Sequence, residues 1–153
     1  MSNYILSSLS EEFFQNYDPK DFPELEHKEG RPYLVFLIKI ENNTFAIPFR
    51  TNIRHKFAYR FKNTGRDTES RTGLDFTKAV IVNEERYLGE EEKRIDDIEY
   101  IELDSKFYFI QIQFKRYVLR YYKYLAGELD ERQSKAYKFT TLKYFHKELG
   151  IEN

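Results

Sequence analysis

The stretch PFRTNIRHKFAYRF, residues 48–61, sets three arginines, a lysine and a histidine among a threonine, an asparagine and several apolar side chains. Those residue types in that spacing suit the handling of a phosphodiester. Cleaving RNA by internal attack needs a base for the 2′-hydroxyl proton, an acid for the leaving 5′-oxygen, and donors or cations around the nonbridging oxygens. Thr51 and Asn52 supply neutral donors at the end of an apolar run, where strand amides come free. Arg54, His55 and Lys56 supply cations and one group that titrates near neutrality. Lys78 heads a later apolar run and is expected to return to the same end of a sheet. The same set also suits a protein that grips phosphate without cutting it. A lone histidine between Arg and Lys is often a solvated side chain, and Asp75 in TGLDF reads as a turn or helix cap before it reads as a base.

Other chemistries have less behind them. The histidines His27, His55 and His146 are dispersed, with neither HxxxH nor HExxH spacing, and no GxxxxGK phosphate loop occurs. No metal site and no cofactor are expected. The chain has no cysteine, which removes disulfides and thiolate ligands and points to a reducing cytoplasm. No leader pattern opens the chain, and no apolar run approaches the ~20 residues a bilayer requires. A soluble, cytoplasmic protein without a membrane partner is expected.

The net charge of −1 conceals a segregation. Residues 50–78 hold 8 bases and 3 acids, residues 79–104 hold 3 bases and 10 acids, and residues 105–153 hold 10 bases and 5 acids. Two basic blocks around an acidic one suggest a polyanion-binding face on an acidic body, with mutual neutralisation of the blocks as the alternative.

The elements that must position these residues follow from patterning. Residues 1–153 fit one domain. Tyr4 to Leu6 reads as a short strand, and Ser8 or Ser10 caps a helix from Leu9 to Tyr17 with Glu11 and Glu12 in its first turn. Residues 18–32, with three of the four prolines, read as a loop. YLVFLIKI (33–40) is a buried strand, Asn42-Asn43 a turn, and TFAIPF (44–49) its hairpin partner, with Pro48 marking an edge, a bulge or a strand end. Residues 62–73 form a polar loop, KAVIV (78–82) another buried strand, and Tyr100–Leu103 one more short strand. Ile110, Phe114, Tyr117, Val118, Tyr121 and Leu125 hold helical spacing toward Gly127, predicting a long helix, and a last helix is expected over Thr140–Leu149. The sum is an α+β protein: a small antiparallel sheet or partly closed barrel covered by helices. Phe57, Tyr59 and Phe61, interleaved with basic residues, suit base stacking or an ordinary half-buried strand. Tyr117, Tyr121, Tyr122 and Tyr124 read as core and rim before a stacking platform.

Three pieces of the chain, in this order, resemble a known family. They are PFRTNIRHK after an apolar strand, TGLDFTKAVIV with its Gly-Leu-x-x-x-Lys, and QIQFKR (111–116) at the head of the long helix. With the opening YILSSLSEEFFQNY they look like the endoribonuclease toxins of type III toxin–antitoxin systems, the ToxN/AbiQ-like superfamily, and are closer to its CptN and TenpN branch. The resemblance implies a Kid/MazF-like, partly closed β-barrel with added helices. It implies metal-independent cleavage to 2′,3′-cyclic phosphate and 5′-hydroxyl ends. It also implies inhibition by a repeat-encoded RNA pseudoknot that the toxin itself processes, a closed protein–RNA assembly, and a role in phage defence on cellular or phage RNA.

Position by position, Thr51 and Asn52 match the family's donors beside the scissile phosphate. The family's catalytic lysine falls within Arg54-His55-Lys56. Read without a gap, Arg54 occupies it and would act as an electrostatic clamp, leaving proton transfer to His55 and then Lys56. Lys78 matches the lysine after Gly-Leu and is expected to bind phosphate, and Gln111 and Gln113 are expected RNA or active-site contacts. Arg50, Arg60, Lys62, Arg66, Arg71 and Arg116 complete the expected RNA-binding set. A non-catalytic RNA-binding module and a protein-interaction domain with a Tyr/Phe surface are the rival readings.

Overall fold

The computed structural model describes residues 5–25, 33–62, 72–89 and 95–152. Arg66 and Arg71 lie outside them, as does most of the 62–73 loop. The architecture is α+β: six antiparallel strands form an open sheet in the order β1-β2-β3-β5-β4, with β6 also paired to β3. The strands are β1 Ile5–Leu9, β2 Tyr33–Ile40, β3 Asn43–Arg50, β4 Ala58–Arg60, β5 Gly73–Asp75 and β6 Val80–Ile81. The helices are α1 Glu11–Asn16, α2 Asp97–Ser105, α3 Phe107–Leu125 and α4 Glu131–Ser134. Among the described residues, no helix is long and apolar enough to cross a membrane.

The apolar run of β2 is continuous because both faces of the strand are covered: Val35, Phe36, Leu37 and Ile38 are all buried. On one face Phe36 meets Phe107 and Phe45 meets Phe114, edge to face, which seats α3 across the sheet. On the other, Phe14 of α1 meets Tyr33. The helical stripe of α3 buries Ile110, Phe114, Tyr117, Val118 and Tyr121 as its spacing predicts, together with Phe107, whereas Leu125 in the last turn is exposed, and Gly127 takes φ +73° just past its end. Ser10 caps α1 by accepting from Phe13 N, 3.3 Å. Pro48 lies where the ladder beside β3 passes from β6, at Phe45 and Ala46, to β5, at Phe49 and Arg50, so its missing donor interrupts neither pairing.

Several expectations are corrected. The hairpin turn falls at Glu41-Asn42, one residue earlier, with Glu41 at φ +56° and Ile40 opposite Asn43. Asn43 is held in the strand from outside the hairpin, through Nδ2 to Glu148 O (3.1 Å) and Oδ1 from Asn83 Nδ2 (2.9 Å). The expected strand at Tyr100–Leu103 is the middle of α2. Asp96 caps that helix at the Ile98 and Glu99 amides, and Asp97 and Glu99 favour its first turn. Lys78 ends a 3₁₀ helix, Phe76–Lys78, and the strand begins only at Val80. The expected helix over Thr140–Leu149 is a 3₁₀ helix at Thr141–Tyr144 followed by turns that end at Gly150, φ +72°. There the Thr140 hydroxyl accepts from Leu142 N, and the Thr141 hydroxyl donates to Ala79 O. These local and tertiary bonds replace the bonds of an α-helix.

Candidate functional site

The basic segment 51–57 is the connection from β3 to β4. Asn52, at φ +58°, occupies the left-handed region that Asn tolerates better than most residues, and so turns the chain off the strand. Ile53, 3% exposed, plugs the loop into the interior. Its neighbours Thr51, Asn52 and Arg54 therefore remain in solvent. From β4, Arg60 donates to the His55 carbonyl at 2.9 Å and staples the loop across its far end.

Beside the loop runs β5, three residues threaded between β3 and β4. Gly73 pairs with Arg50 on one side and Arg60 on the other. A Cβ on Gly73 would stand 2.1 Å from Tyr59 O, so only glycine permits this approach. Two residues on, Asp75 is carried against the 51–57 loop. Its Oδ1 accepts from Thr77 N (3.0 Å), Thr77 Oγ1 (2.6 Å) and His55 Nε2 (3.1 Å), and Arg50 Nε lies 3.8 Å from Oδ2. Burial pushes the Asp75 carboxyl up, but the bonds from His55 and Thr77 outweigh it and hold the group below the usual carboxylate range. The cap reading of Asp75 holds, since it caps the Phe76–Lys78 turn, and the same carboxylate orients His55. His55 Nδ1 accepts from Phe57 N at 3.1 Å, which assigns the ring proton to Nε2 and the lone pair to Nδ1.

A cleft of about 430 Å³ opens at this point, lined by Thr51, Asn52, Arg54, His55, Lys78 and Phe139 among others. Lys135 and Ala136 form part of its far wall. Across Phe57 and Ala136, which line both, lies a second cleft of about 530 Å³. Lys56, Gln113, Arg116, Arg120 and Arg132 line it over a floor that includes Phe76 and Tyr117. Residues of both basic blocks thus line adjoining clefts, and among the described residues Asp75 and Asp130 are the acids that line them.

Of the expected residues, Arg50, Thr51, Asn52, Arg54, His55 and Lys78 converge on the first cleft, and Lys56, Gln113 and Arg116 on the second. Lys56 is therefore parted from Thr51 and Asn52, its ammonium lying 5.9 Å from the centre of the Phe57 ring. Gln111 sits two positions before Gln113, about 200° around α3, and lines neither cleft. The Arg60 guanidinium is engaged with its own loop. Lys62 lines neither cleft, and its amide donates to the Glu102 carboxylate, 3.0 Å, which also accepts from Tyr59. Asp75, Thr77, Arg120, Arg132 and Lys135 join the site without having been singled out as site residues. The i, i+4 spacing of Arg116 and Arg120 on an exposed helix face could have found one of them. Compared with known proteins, the chain matches no family model, no curated protein and no solved structure.

Proposed function

We propose that residues 1–153 form a metal-independent endoribonuclease toxin of the type III toxin–antitoxin kind. The observation that carries the reading is the convergence, in one open cleft, of a hydroxyl, an amide, an oriented imidazole and a lysine, continued by a second cleft lined with cations. In this reading His55 Nδ1 exchanges the Phe57 amide for the substrate's 2′-hydroxyl and takes its proton. Asp75 stabilises the imidazolium that forms. The 2′-oxygen attacks phosphorus while Thr51, Asn52, Arg54 and Lys78 hold the nonbridging oxygens, and the bond to the 5′-oxygen breaks. The Lys78 ammonium returns a proton to that oxygen, leaving a 2′,3′-cyclic phosphate and a 5′-hydroxyl.

The family resemblance extends the proposal. A pseudoknot RNA antitoxin would occupy the basic face and assemble with the toxin into a closed complex in the cytoplasm, and the substrates would be cellular or phage RNA. Kinship of the open sheet with the partly closed Kid/MazF barrel belongs to the same proposal. The test is incubation of the purified protein with RNA in EDTA and chemical analysis of the new ends. Cyclic phosphates that disappear on changing residues 51–56 support it.

One observation favours the rival reading of an RNA-binding module that does not cut. Both ring nitrogens of His55 are already bonded within the protein. His55→Ala separates the two. If His55 is the base, single-turnover cleavage falls by about 10²–10⁴ with RNA affinity nearly intact. An unchanged rate removes it from the mechanism, and tight binding with no cuts by the wild type makes the site a grip.

A further inference from the structure

Among the described residues, Phe57, Phe76, Tyr117, Tyr137 and Phe139 are the Phe and Tyr side chains that line the two clefts. Phe76, Tyr117 and Tyr137 are buried in the core. Phe57 is half-buried, with the His55 ring stacked at 5.9 Å and the Lys56 ammonium also near its ring. Phe139 is different. It is 60% exposed, and among the described residues the charged or aromatic group brought to its ring is Lys138 Nζ, 5.4 Å from the centroid.

An exposed phenyl ring usually sits on a mobile tip, but this one is mounted on a pinned segment. Before it, Tyr137 OH donates to Tyr117 O at 2.7 Å, and Tyr117 OH donates to Ala136 O at 3.3 Å and Thr140 Oγ1 at 2.8 Å. After it, Thr141 Oγ1 donates to Ala79 O and to Thr77 O, the latter at 3.2 Å. That last bond ties the Phe139 segment to the 3₁₀ turn carrying Lys78. The backbone that carries the ring is thus anchored at the lip of the cleft, with Lys135 also in its wall. An exposed aromatic face on an anchored segment next to cations is what an unstacked nucleobase recognises, since every base has a π-face and its phosphate follows the cations.

We propose that Phe139 is a stacking platform for one nucleobase of a single-stranded RNA whose phosphate lies in the Thr51–Lys78 cleft. The assignment rests on the RNA reading above and adds to it the conformation of the substrate: a base must be splayed out of any helix to reach the ring. It also predicts that double-stranded RNA is a poor ligand for this cleft.

The test measures affinity for a 2′-O-methylated, hence uncleavable, single-stranded RNA across a salt series, with wild type, Phe139→Leu and Phe139→Trp. Phe139→Leu keeps the apolar bulk and loses the planar face. It is expected to weaken binding about 5- to 150-fold with no change in the salt slope. Phe139→Trp is expected to bind at least as well as wild type. Neither shifts the melting temperature, because the ring is mostly in solvent. In a scan of single abasic positions, one position costs the wild type the same factor and costs Phe139→Leu nothing further. Phe139→Leu binding within twofold of a wild type that itself binds with a steep salt dependence overturns the platform and leaves the RNA reading standing. Absence of salt-dependent RNA binding by the wild type overturns both.

Discussion

Replacing Asp75 tests whether one buried carboxylate both stabilises the end of the sheet and orients His55. Asp75→Asn keeps an acceptor for Thr77 N–H, since Asn caps as well as Asp, but removes the charge to which the Thr77 hydroxyl and His55 Nε2–H donate. Asp75→Ala removes the cap as well. The cap is worth about 1 kcal/mol. Each of the other two bonds, made to an ionised acceptor, is worth about 1.5–3 kcal/mol before discount. Two terms reduce the total. The Asp75 side chain is 6% exposed, so alanine is spared a desolvation cost, and the His55 side chain is 34% exposed, so solvent screens its bond. The expected losses are about 2–4 kcal/mol for Asp75→Ala and about 1–2 kcal/mol for Asp75→Asn. At this chain length, Asp75→Ala should melt roughly 5–15 °C lower.

Urea unfolding followed by far-ultraviolet circular dichroism reads these values as midpoint shifts at constant slope. The pH dependence supplies a second arm. The folded carboxyl titrates below the ordinary 3.8 of an aspartate, so its stabilisation is complete well above that value. It is lost as pH falls through 3.8 toward the folded pKa. The stability gap between wild type and Asp75→Asn therefore closes as pH falls below about 4. Asp75→Ala within about 0.5 kcal/mol of wild type, or a gap as wide at pH 3 as at pH 7, would refute the assignment.

Gly73→Ala places a methyl group where Tyr59 O stands 2.1 Å away, so β4 must separate from β5. The expected cost is about 2–4 kcal/mol in urea unfolding, with early exchange of the β4 and β5 amides, and a variant as stable as wild type contradicts the threading of β5. Arg120→Ala and Arg132→Ala should each lower the slope of log affinity against log salt by about 0.7 for single-stranded RNA, evenly across sequences. Unchanged slopes would take the second cleft out of the RNA path. Burial pushes the Tyr121 and Tyr137 hydroxyls up to about 12. Because the folded state holds these protons more tightly, their stabilisation is complete below pH 10 and lost as pH rises from 10 to 12. Stability that stays flat across that range, with phenolate absorbance rising as in free tyrosine, would contradict the burial of these rings.

Elements whose pattern depends only on themselves were legible in the chain. Tyr33–Ile40 reads as a strand because burial on both faces leaves a continuous apolar run, whatever covers it. The cap at Ser10, the stripe of α3 and Gly127 beyond its end are local signals of the same kind. α2 was misread because its pattern is inverted: Glu99 and Glu102 are buried while Ile98 and Ile101 are exposed, and Glu102 is kept inside by bonds from Tyr59 and the Lys62 amide. β5, at three residues, is too short to show a period, and a tertiary clash explains its glycine.

The site divides in the same way. Residue types alone put 48–61 and Lys78 forward as a set suited to phosphate, because hydroxyl, amide, imidazole and ammonium groups carry their chemistry wherever the chain puts them. Only the tertiary structure decided how they are grouped. His55 and Lys56 are adjacent in sequence yet face different clefts, because Phe57 rises between them. Asp75 became the partner of His55 because Gly73 lets β5 pass close beside β4. Arg120, Arg132 and Lys135, distant in sequence, reach the same face because α3 and the segment after it pack along the clefts. Such groupings depend on contacts between parts of the chain that share no local pattern, and packing alone brings them together.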